Sequence, residues 1–384
     1  MILIKNAKIK TMAGPDLEKG CILIGDEGKI LKIADLIDAP AGTQVIDAEG
    51  RLVTPGCIDA HCHIGLDNEG MGWEGRDYNE MADPVTPQLR AIDSINPMDE
   101  AFGLALQGGV TTACTGPGSA NVVGGTFVVI KLVGKRVDKM ILKEPAAMKC
   151  AFGENPKRCY GQSHGKSPVT RMGTAALLRE LLFKTRRYIA DKAEGKNPAF
   201  DMKLEAMTPV LEGKIPLKCH AHRADDILTS IRIAKEFGVG ITLDHCTDGA
   251  LIADELAEEK LPAFVGPTFG NKSKIELQNK SFTTPAALHD AGVSVSIITD
   301  APVIPLHSLP MCAGMAANAG LDREEAWRAI TVNPAKALGI ADRVGTLEAG
   351  KDADIVIWNA DPLTTIGGNA YITIVDGKIV WQVS

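Results

Sequence analysis

The sequence predicts an α/β fold, in which a distorted TIM (β/α)8 barrel carries a small β-sandwich domain formed by both chain termini. Three observations lead to this fold. Both chain ends are rich in short strands, the middle alternates apolar strands with helices, and 384 residues suit one barrel of about 250 residues plus an accessory domain. We place the composite β domain at residues 1–52 plus 346–384 and the barrel at residues 53–345.

The two chain ends share a pattern of short apolar runs separated by Gly and Asp, without a helical period. The predicted terminal strands are Ile2–Ile4, Cys21–Ile24, Lys29–Ala34, Asp354–Trp358, Tyr371–Val375 and Lys378–Val383. The dipeptide Asp376-Gly377 between the last two is typical of a hairpin turn. Neither end is long enough to form its own core, so we expect the two ends to assemble one domain.

Eight apolar runs in the middle of the chain predict the strands of a barrel, since eight strands are enough to close one. The predicted strands are Thr54–His63, Val110–Thr115, Thr126–Leu132, Ala146–Phe152, Leu217–His220, Ile241–His245, Ala263–Val265 and Val293–Asp300. The predicted helices are Ala175–Glu194, Ala224–Phe237, Ala250–Glu259, Thr284–Ala291, Pro310–Ala319 and Arg323–Leu338. The intervals 116–125 and 134–145 are too short or irregular for a full helix, so we expect the barrel to be distorted there.

Metal-capable side chains lie at the C-terminal ends of several predicted strands. His61 and His63 end the first strand and share one face, because residues i and i+2 of a strand point the same way. His220, His245 and Asp300 end later strands, and in a barrel all these ends form one mouth, where active sites lie. Imidazole and carboxylate ligands suit a divalent ion, with zinc favoured and iron, manganese, cobalt or nickel as alternatives.

Charge and composition exclude several kinds of partner. The net charge is −7 and the pI about 5.7, with Lys and Arg spread along the chain, so we expect no nucleic-acid partner. Residues 1–5 lack the pattern of a signal peptide, and no apolar run reaches the roughly 20 residues of a membrane span, so we expect a cytoplasmic protein without membrane contact. The nine cysteines are scattered without a CxxC pair, which argues against a disulfide framework or a thiolate zinc site.

Several motifs follow one another in order over nearly the whole chain. They are residues 54–63 (Thr-Pro-Gly-Cys-Ile-Asp-Ala-His-Cys-His), 109–112 (Gly-Val-Thr-Thr), 219–222, 243–245, 298–300, 331–339 and 345–356. With these motifs the sequence resembles the amidohydrolase superfamily, closest to its imidazolonepropionase-like and prolidase-like branch. The resemblance implies a distorted barrel with a terminal β-sandwich and a centre of one or two metal ions that activates water.

The resemblance also implies a role for each ligand candidate. By position, His61 and His63 look like ligands of the more buried metal, and His220 and His245 look like ligands of the second. Asp300 looks like the catalytic carboxylate that also touches metal.

The group that bridges the two ions is either a carboxylated lysine or a glutamate in this superfamily. Lys149 and Glu154 are the two candidates at the end of the fourth predicted strand. Lys149 matches the depth of the carboxylated lysine in related sequences, whereas Glu154 needs no modification and sits where the strand passes into a loop. We favour Glu154 slightly.

The predicted activity is hydrolysis of an amide, cyclic amide or peptide-like C–N bond of a small molecule, other than ordinary protein peptide bonds. Asp300 would take the proton from water and return it to the leaving nitrogen. His222, two residues past His220, is a candidate catalytic contact to substrate or oxyanion, and a solvent-facing loop histidine is the alternative. A deaminase using the same site and a scaffold without activity are the alternative functions. We expect a small-molecule substrate and a homo-oligomer.

Overall fold

The computed structural model describes residues 1–383, which contain two eight-stranded sheets. Strands β1–β5 are Ile2–Ile9, Leu17–Ile24, Ile30–Ala34, Gln44–Asp47 and Leu52–Pro55. Strands β6–β13 are Cys57–Cys62, Val110–Thr115, Val123–Lys131, Ile141–Ala151, Leu217–Ala221, Ile241–His245, Ala263–Val265 and Val295–Ile297. Strands β14–β16 are Ile355–Trp358, Ala370–Val375 and Lys378–Gln382. Strands β6–β13 form the barrel, whereas β1–β5 and β14–β16 share the other sheet. The predicted fold is therefore confirmed.

The terminal sheet joins the two ends of the chain through β5. Its strand order is β16-β15-β14-β5-β1-β2-β3, with β4 paired to β1. Strand β5 runs parallel to β1 and antiparallel to β14. Buried isoleucines from both chain ends, such as Ile4 and Ile355, form a separate apolar core. Because Leu52–Pro55 belongs to this sheet, the first barrel strand begins at Cys57 and not at the predicted Thr54.

All eight predicted barrel strands are present, although one of them runs in the opposite direction. Strand β8 is antiparallel to both β7 and β9, whereas the other paired neighbours are parallel. Its flanking connections, residues 116–122 and 132–140, are shorter than the dozen or so residues that a parallel crossover needs. The distortion expected at these two intervals is therefore an antiparallel meander in the barrel wall.

The barrel is completed between β6 and β13 by contacts just beyond the strand ends. The Asp300 amide donates to the His61 carbonyl at 3.2 Å, and the His63 amide donates to the carbonyl of the residue after Asp300 at 2.7 Å. The buried Asp59 carboxylate accepts from the backbone amides of His61 and Thr299, both at 2.9 Å. This seam holds three of the predicted ligand positions close to one another.

Except for a single turn at residues 154–156, which lies at the mouth, the helices cover the outside of the barrel. In chain order α1–α10 are Glu100–Gln107, Glu154–Pro156, Arg171–Ala193, Met202–Leu211, Ala224–Phe237, Ala253–Glu259, Thr284–Asp290, Leu309–Asn318, Arg323–Arg328 and Val332–Leu338. The predicted helix Arg323–Leu338 is therefore two helices, interrupted at Thr331, which has φ −137° and ψ −79°. Within residues 1–383, none of the helices has the length and apolar composition that crossing a bilayer requires.

Candidate metal centre

The predicted ligands meet at one end of the barrel because the strands that carry them end there. His61 lies on β6, His220 on β10 and His245 at the end of β11, while His63 and Asp300 follow β6 and β13. The ring centroids of His61 and His245 are 5.0 Å apart, and those of His220 and His245 are 4.3 Å apart. All four of the histidines predicted as ligands are buried. The structure therefore gathers side chains that are far apart in the sequence.

Two groups of three side chains have ligand atoms within 4.8 Å of one another. One group is His61, His245 and Asp300, and the other is His220, His222 and His245. Buried Nδ1 of His220, Nε2 of His245 and Oδ1 of Asp300 form no hydrogen bond with any residue in 1–383. A buried polar atom without a partner costs about 1–3 kcal/mol. A divalent cation would satisfy these atoms, so the donor set fits a metal ion.

Three of the histidine rings are held in the orientation that metal binding requires. Nδ1 of His61 donates to Oδ2 of Asp244 at 2.7 Å. Nδ1 of His63 and of His245 donate to backbone carbonyls at 2.7 and 2.8 Å. Because Nδ1 carries the proton in each case, the Nε2 lone pair is free to bind a metal. Nε2 of His63 lies 3.2 Å from Oδ1 of Asp300, and Nε2 of His61 lies 3.4 Å from the same oxygen.

The electrostatic environment keeps the imidazoles neutral and the carboxylate ionised. Burial and the nearby lysine ammonium groups lower the pKa of His61 to about 4, and burial lowers that of His245 to about 3. Burial also lowers the pKa of His220 well below its usual range. For Asp300, burial alone would raise the pKa, but the neighbouring histidines outweigh it and hold the pKa well below normal. Neutral imidazole and ionised carboxylate are the forms that bind metals.

Backbone strain is concentrated at the same place. His245 has φ +75°, the adjacent Cys246 has φ +47°, and Asp300 has φ +55°. Residues other than glycine adopt this left-handed region infrequently, and such strain clusters at functional sites. The strand ends at β11 and β13 are thus bent so that His245 and Asp300 both face the mouth.

A cavity of about 800 Å³ opens above the metal-capable side chains. Its wall includes His63, His220, His222 and Asp300, together with residues from two connections of the barrel. The connection after β6 contributes Tyr78, Asn79 and Met81, and the one after β9 contributes Asn155, Arg158, Cys159, Ser163 and His164. This volume is typical of a site for a small organic molecule.

Comparison with known proteins identifies the family. The sequence model of the amidohydrolase family matches residues 52–380, which span the whole barrel and most of the C-terminal strands. This chain belongs to the amidohydrolase family.

Individual relatives and a solved structure match most or all of this chain. The amidohydrolase tasK of Hapsidospora irregularis is 30% identical over 376 residues, which cover 90% of this chain but only 38% of that protein. The imidazolonepropionase of Rhizobium rhizogenes is 25% identical over 387 residues and is covered to 91%. The crystal structure of an amidohydrolase from Thermotoga maritima has a TM-score of 0.96 and 42% identity, with 100% of both chains covered. The protein is thus a metal-dependent hydrolase of carbon–nitrogen bonds.

In this amidohydrolase the two candidates for the bridging position lie in different surroundings. Lys149 on β9 is completely buried, and its Nζ lies 3.2 Å from Nε2 of His61. Burial lowers the pKa of Lys149 to about 8, so a fraction of the molecules carries the reactive neutral amine near neutral pH. The Glu154 carboxylate instead accepts from the backbone amide of Glu276, at 3.4 Å. The placement of the two side chains favours Lys149 over Glu154, the candidate that the sequence slightly favoured.

Some residues of the amidohydrolase site had no predicted role. Asp244 orients His61 and is itself 3.2 Å from Nζ of buried Lys218. Asp244 directly precedes His245 in the motif at residues 243–245, so the sequence offered a signal that could have identified it. Glu276 and Lys274 reach the mouth from the irregular loop after β12, where the sequence has no periodicity that could reveal them.

Proposed function

We propose that this amidohydrolase binds one or two divalent ions, with zinc as the first candidate, and hydrolyses the amide or cyclic amide bond of a small molecule. The proposed ligands of the more buried ion are His61, His63, Asp300 and a carboxylated Lys149. His220 and His245 would hold the second ion, with the modified Lys149 bridging the two. The observation that supports this proposal best is the set of Nδ1–H bonds that leaves the Nε2 atoms of His61, His63 and His245 available at one place.

The chain's own residues are arranged for acid–base catalysis around this centre. When bound, a divalent ion would lower the pKa of a coordinated water towards about 7 and polarise the scissile carbonyl. Asp300, ionised and facing the cavity, accepts the proton of the attacking water at its carboxylate and delivers it to the leaving nitrogen. His222 lines the cavity with its Nδ1 2.8 Å from Oγ1 of Thr247, so the ring is oriented for contact with the substrate carbonyl.

The cavity also supports a restricted class of substrates. Its volume excludes a folded protein chain, and its rim presents the cationic side chain of Arg158. N-acyl amino acids, dipeptides and lactams that carry a carboxylate fit both features.

Metal reconstitution combined with a substrate screen tests the proposed function. The protein is stripped with a chelator, reloaded separately with Zn²⁺, Mn²⁺, Co²⁺, Ni²⁺ or Fe²⁺, and assayed on N-acyl amino acids, dipeptides and lactams. We expect a metal-dependent release of amine and carboxylate. Release of free ammonia from a heterocyclic amine would indicate a deaminase instead. Failure to bind any of the metals, together with no C–N hydrolysis, would contradict the proposal.

A further inference from the structure

A buried carboxylate, Glu276, lies beside two histidines of the centre and has no part in the mechanism above. It is on the loop after β12, in the short helical turn Ile275–Leu277, and only 2% of its surface is exposed. Its Oε1 lies 3.8 Å from Nε2 of both His220 and His222. Within residues 1–383 this oxygen accepts no well-aligned hydrogen bond, although it forms an ion pair with Nζ of Lys274. An ionisable group so deeply buried needs a reason to be there.

Three neighbours hold the Glu276 carboxylate in place. Nζ of Lys274 lies 2.6 Å from Oε1, and the backbone amide of Glu154 donates to Oε2 at 3.1 Å. The third neighbour is Gly153, which has φ +80° and whose missing Cβ would lie 2.6 Å from Oε2. The chain therefore leaves room for the carboxylate, binds one of its oxygens and balances its charge. Oε1, the oxygen paired with Lys274, also faces the two histidines.

His220 differs from the other candidate histidine ligands in which ring nitrogen is left without a hydrogen bond. In His61, His63 and His245, Nδ1 is anchored and Nε2 faces the centre. In His220 it is Nδ1 that is buried without a hydrogen-bond partner in the described part of the chain. A neutral imidazole that binds a metal through Nδ1 carries its proton on Nε2, and that proton needs an acceptor. Nδ2 of Asn155, 3.4 Å from Nε2, is a donor and cannot serve, whereas the carboxylate of Glu276 can.

We propose that Glu276 is a positioning residue of the metal centre, in which Oε1 accepts the Nε2 proton of His220 and so directs Nδ1 of that ring at the ion. The inference rests on the proposed function, because it requires His220 to be a metal ligand. The contact has to shorten by about 1 Å to reach the usual hydrogen-bond length. Removing an outer partner of a metal-bound histidine lowers metal affinity about 10- to 100-fold.

Zinc affinity measured by competition with a chromophoric chelator tests this role without an assay of turnover. The full-length proteins compared are the wild type, Glu276→Ala, Glu276→Gln and the control Glu259→Gln. Glu259 also pairs with a lysine at 2.6 Å, Lys235, but lies on the outer helix α6. We expect a 10- to 100-fold loss of affinity for the alanine variant, a smaller loss for glutamine because its carbonyl oxygen still accepts, and no change for the control.

Each result has a distinct meaning. A wild type that binds no zinc overturns the proposed function and this inference with it. If the wild type binds zinc and Glu276→Ala binds it equally tightly, only the role of Glu276 is overturned. A glutamine variant no better than the alanine variant argues against hydrogen-bond acceptance. Melting temperatures of the metal-free proteins report folding, and if Glu276→Ala does not fold, wild-type affinity in Glu276→Gln overturns the role.

Discussion

Replacing Asp244 with asparagine should weaken zinc binding about 10- to 100-fold, although Asp244 is not itself a proposed ligand. Oδ2 of Asp244 accepts from Nδ1 of His61 at 2.7 Å, and both side chains are fully buried. Burial would raise the pKa of Asp244, but Lys218 and His61 hold it far below normal, so the acceptor is a full carboxylate. This charge fixes the proton on Nδ1 and leaves Nε2 of His61 free.

The size of the effect follows from the hydrogen bond that is lost. A hydrogen bond to a charged group contributes about 1.5–3 kcal/mol, which corresponds to about one to two powers of ten in a binding constant. Asparagine retains the shape, but its amide can also turn its NH₂ group towards His61. Nδ1 would then have to accept, and the ring proton would move to Nε2, the atom that faces the metal.

Chelator competition with Zn²⁺ measures the affinity of Asp244→Asn, and a second buried carboxylate serves as control. Asp352 pairs with Lys131 at 2.7 Å where the barrel meets the terminal sheet, so Asp352→Asn should lower the melting temperature without changing zinc affinity. Asp244→Asn also leaves Lys218 without its partner, so adding Lys218→Met should recover stability but not affinity. Wild-type zinc affinity in Asp244→Asn would refute the orientation of His61 by Asp244.

Three further outcomes are expected. Asp300→Asn, assayed at zinc concentrations that saturate the site, should lose about 10²–10⁴ in kcat, as expected for a general acid–base, and near-normal turnover would exclude that role. Lys149→Met should lose zinc and activity. The wild type equilibrated with ¹³C-bicarbonate should show a carbamate NMR signal that this variant lacks, and a wild type without the signal would contradict the carboxylation of Lys149. The metal-free protein should lose stability as the pH falls from about 6.5 towards 4, because His61 and His245 have lowered pKa values in the native state and protonate first in the unfolded chain. Each would contribute up to about 1.4 kcal/mol per pH unit, measured by urea unfolding at pH 7, 6 and 5, and a flat profile would contradict the buried neutral state.

The barrel strands could be predicted because they are buried on both faces and therefore appear as continuous apolar runs. The direction of a strand leaves no such trace, since an apolar run has the same pattern in either direction. Only the short connections on both sides of β8 carried that information. Helix α4 was missed because it is short and contains Pro209, a residue that normally argues against a helix interior.

The grouping of the histidines could be predicted because alternation along a strand sets which side chains share a face. The choice between Lys149 and Glu154 depends on register and on one glycine. Lys149 pairs with Lys218 across β9 and β10, which places it two residues below the level of His220 and on the same face, inside the barrel. Gly153 takes φ +80° and redirects the chain just before Glu154. The carboxylate of Glu154 therefore contacts the loop after β12. Sequence alone shows neither the pairing partner nor the turn.

The reversed strand β8 also explains the glycine pair Gly124-Gly125 near its start. Because β8 is antiparallel, its first residues lie at the mouth, where Gly125 has φ +119° and a Cβ would come within 2.4 Å of the Leu89 carbonyl. The absence of that Cβ lets the Thr126 amide donate to the same carbonyl at 2.9 Å. The long connection after β6 is thereby fixed along β8, and it carries Tyr78, whose ring lies 5.3 Å from that of His63. The strand that departs from the parallel barrel thus anchors the segment that walls the substrate cavity.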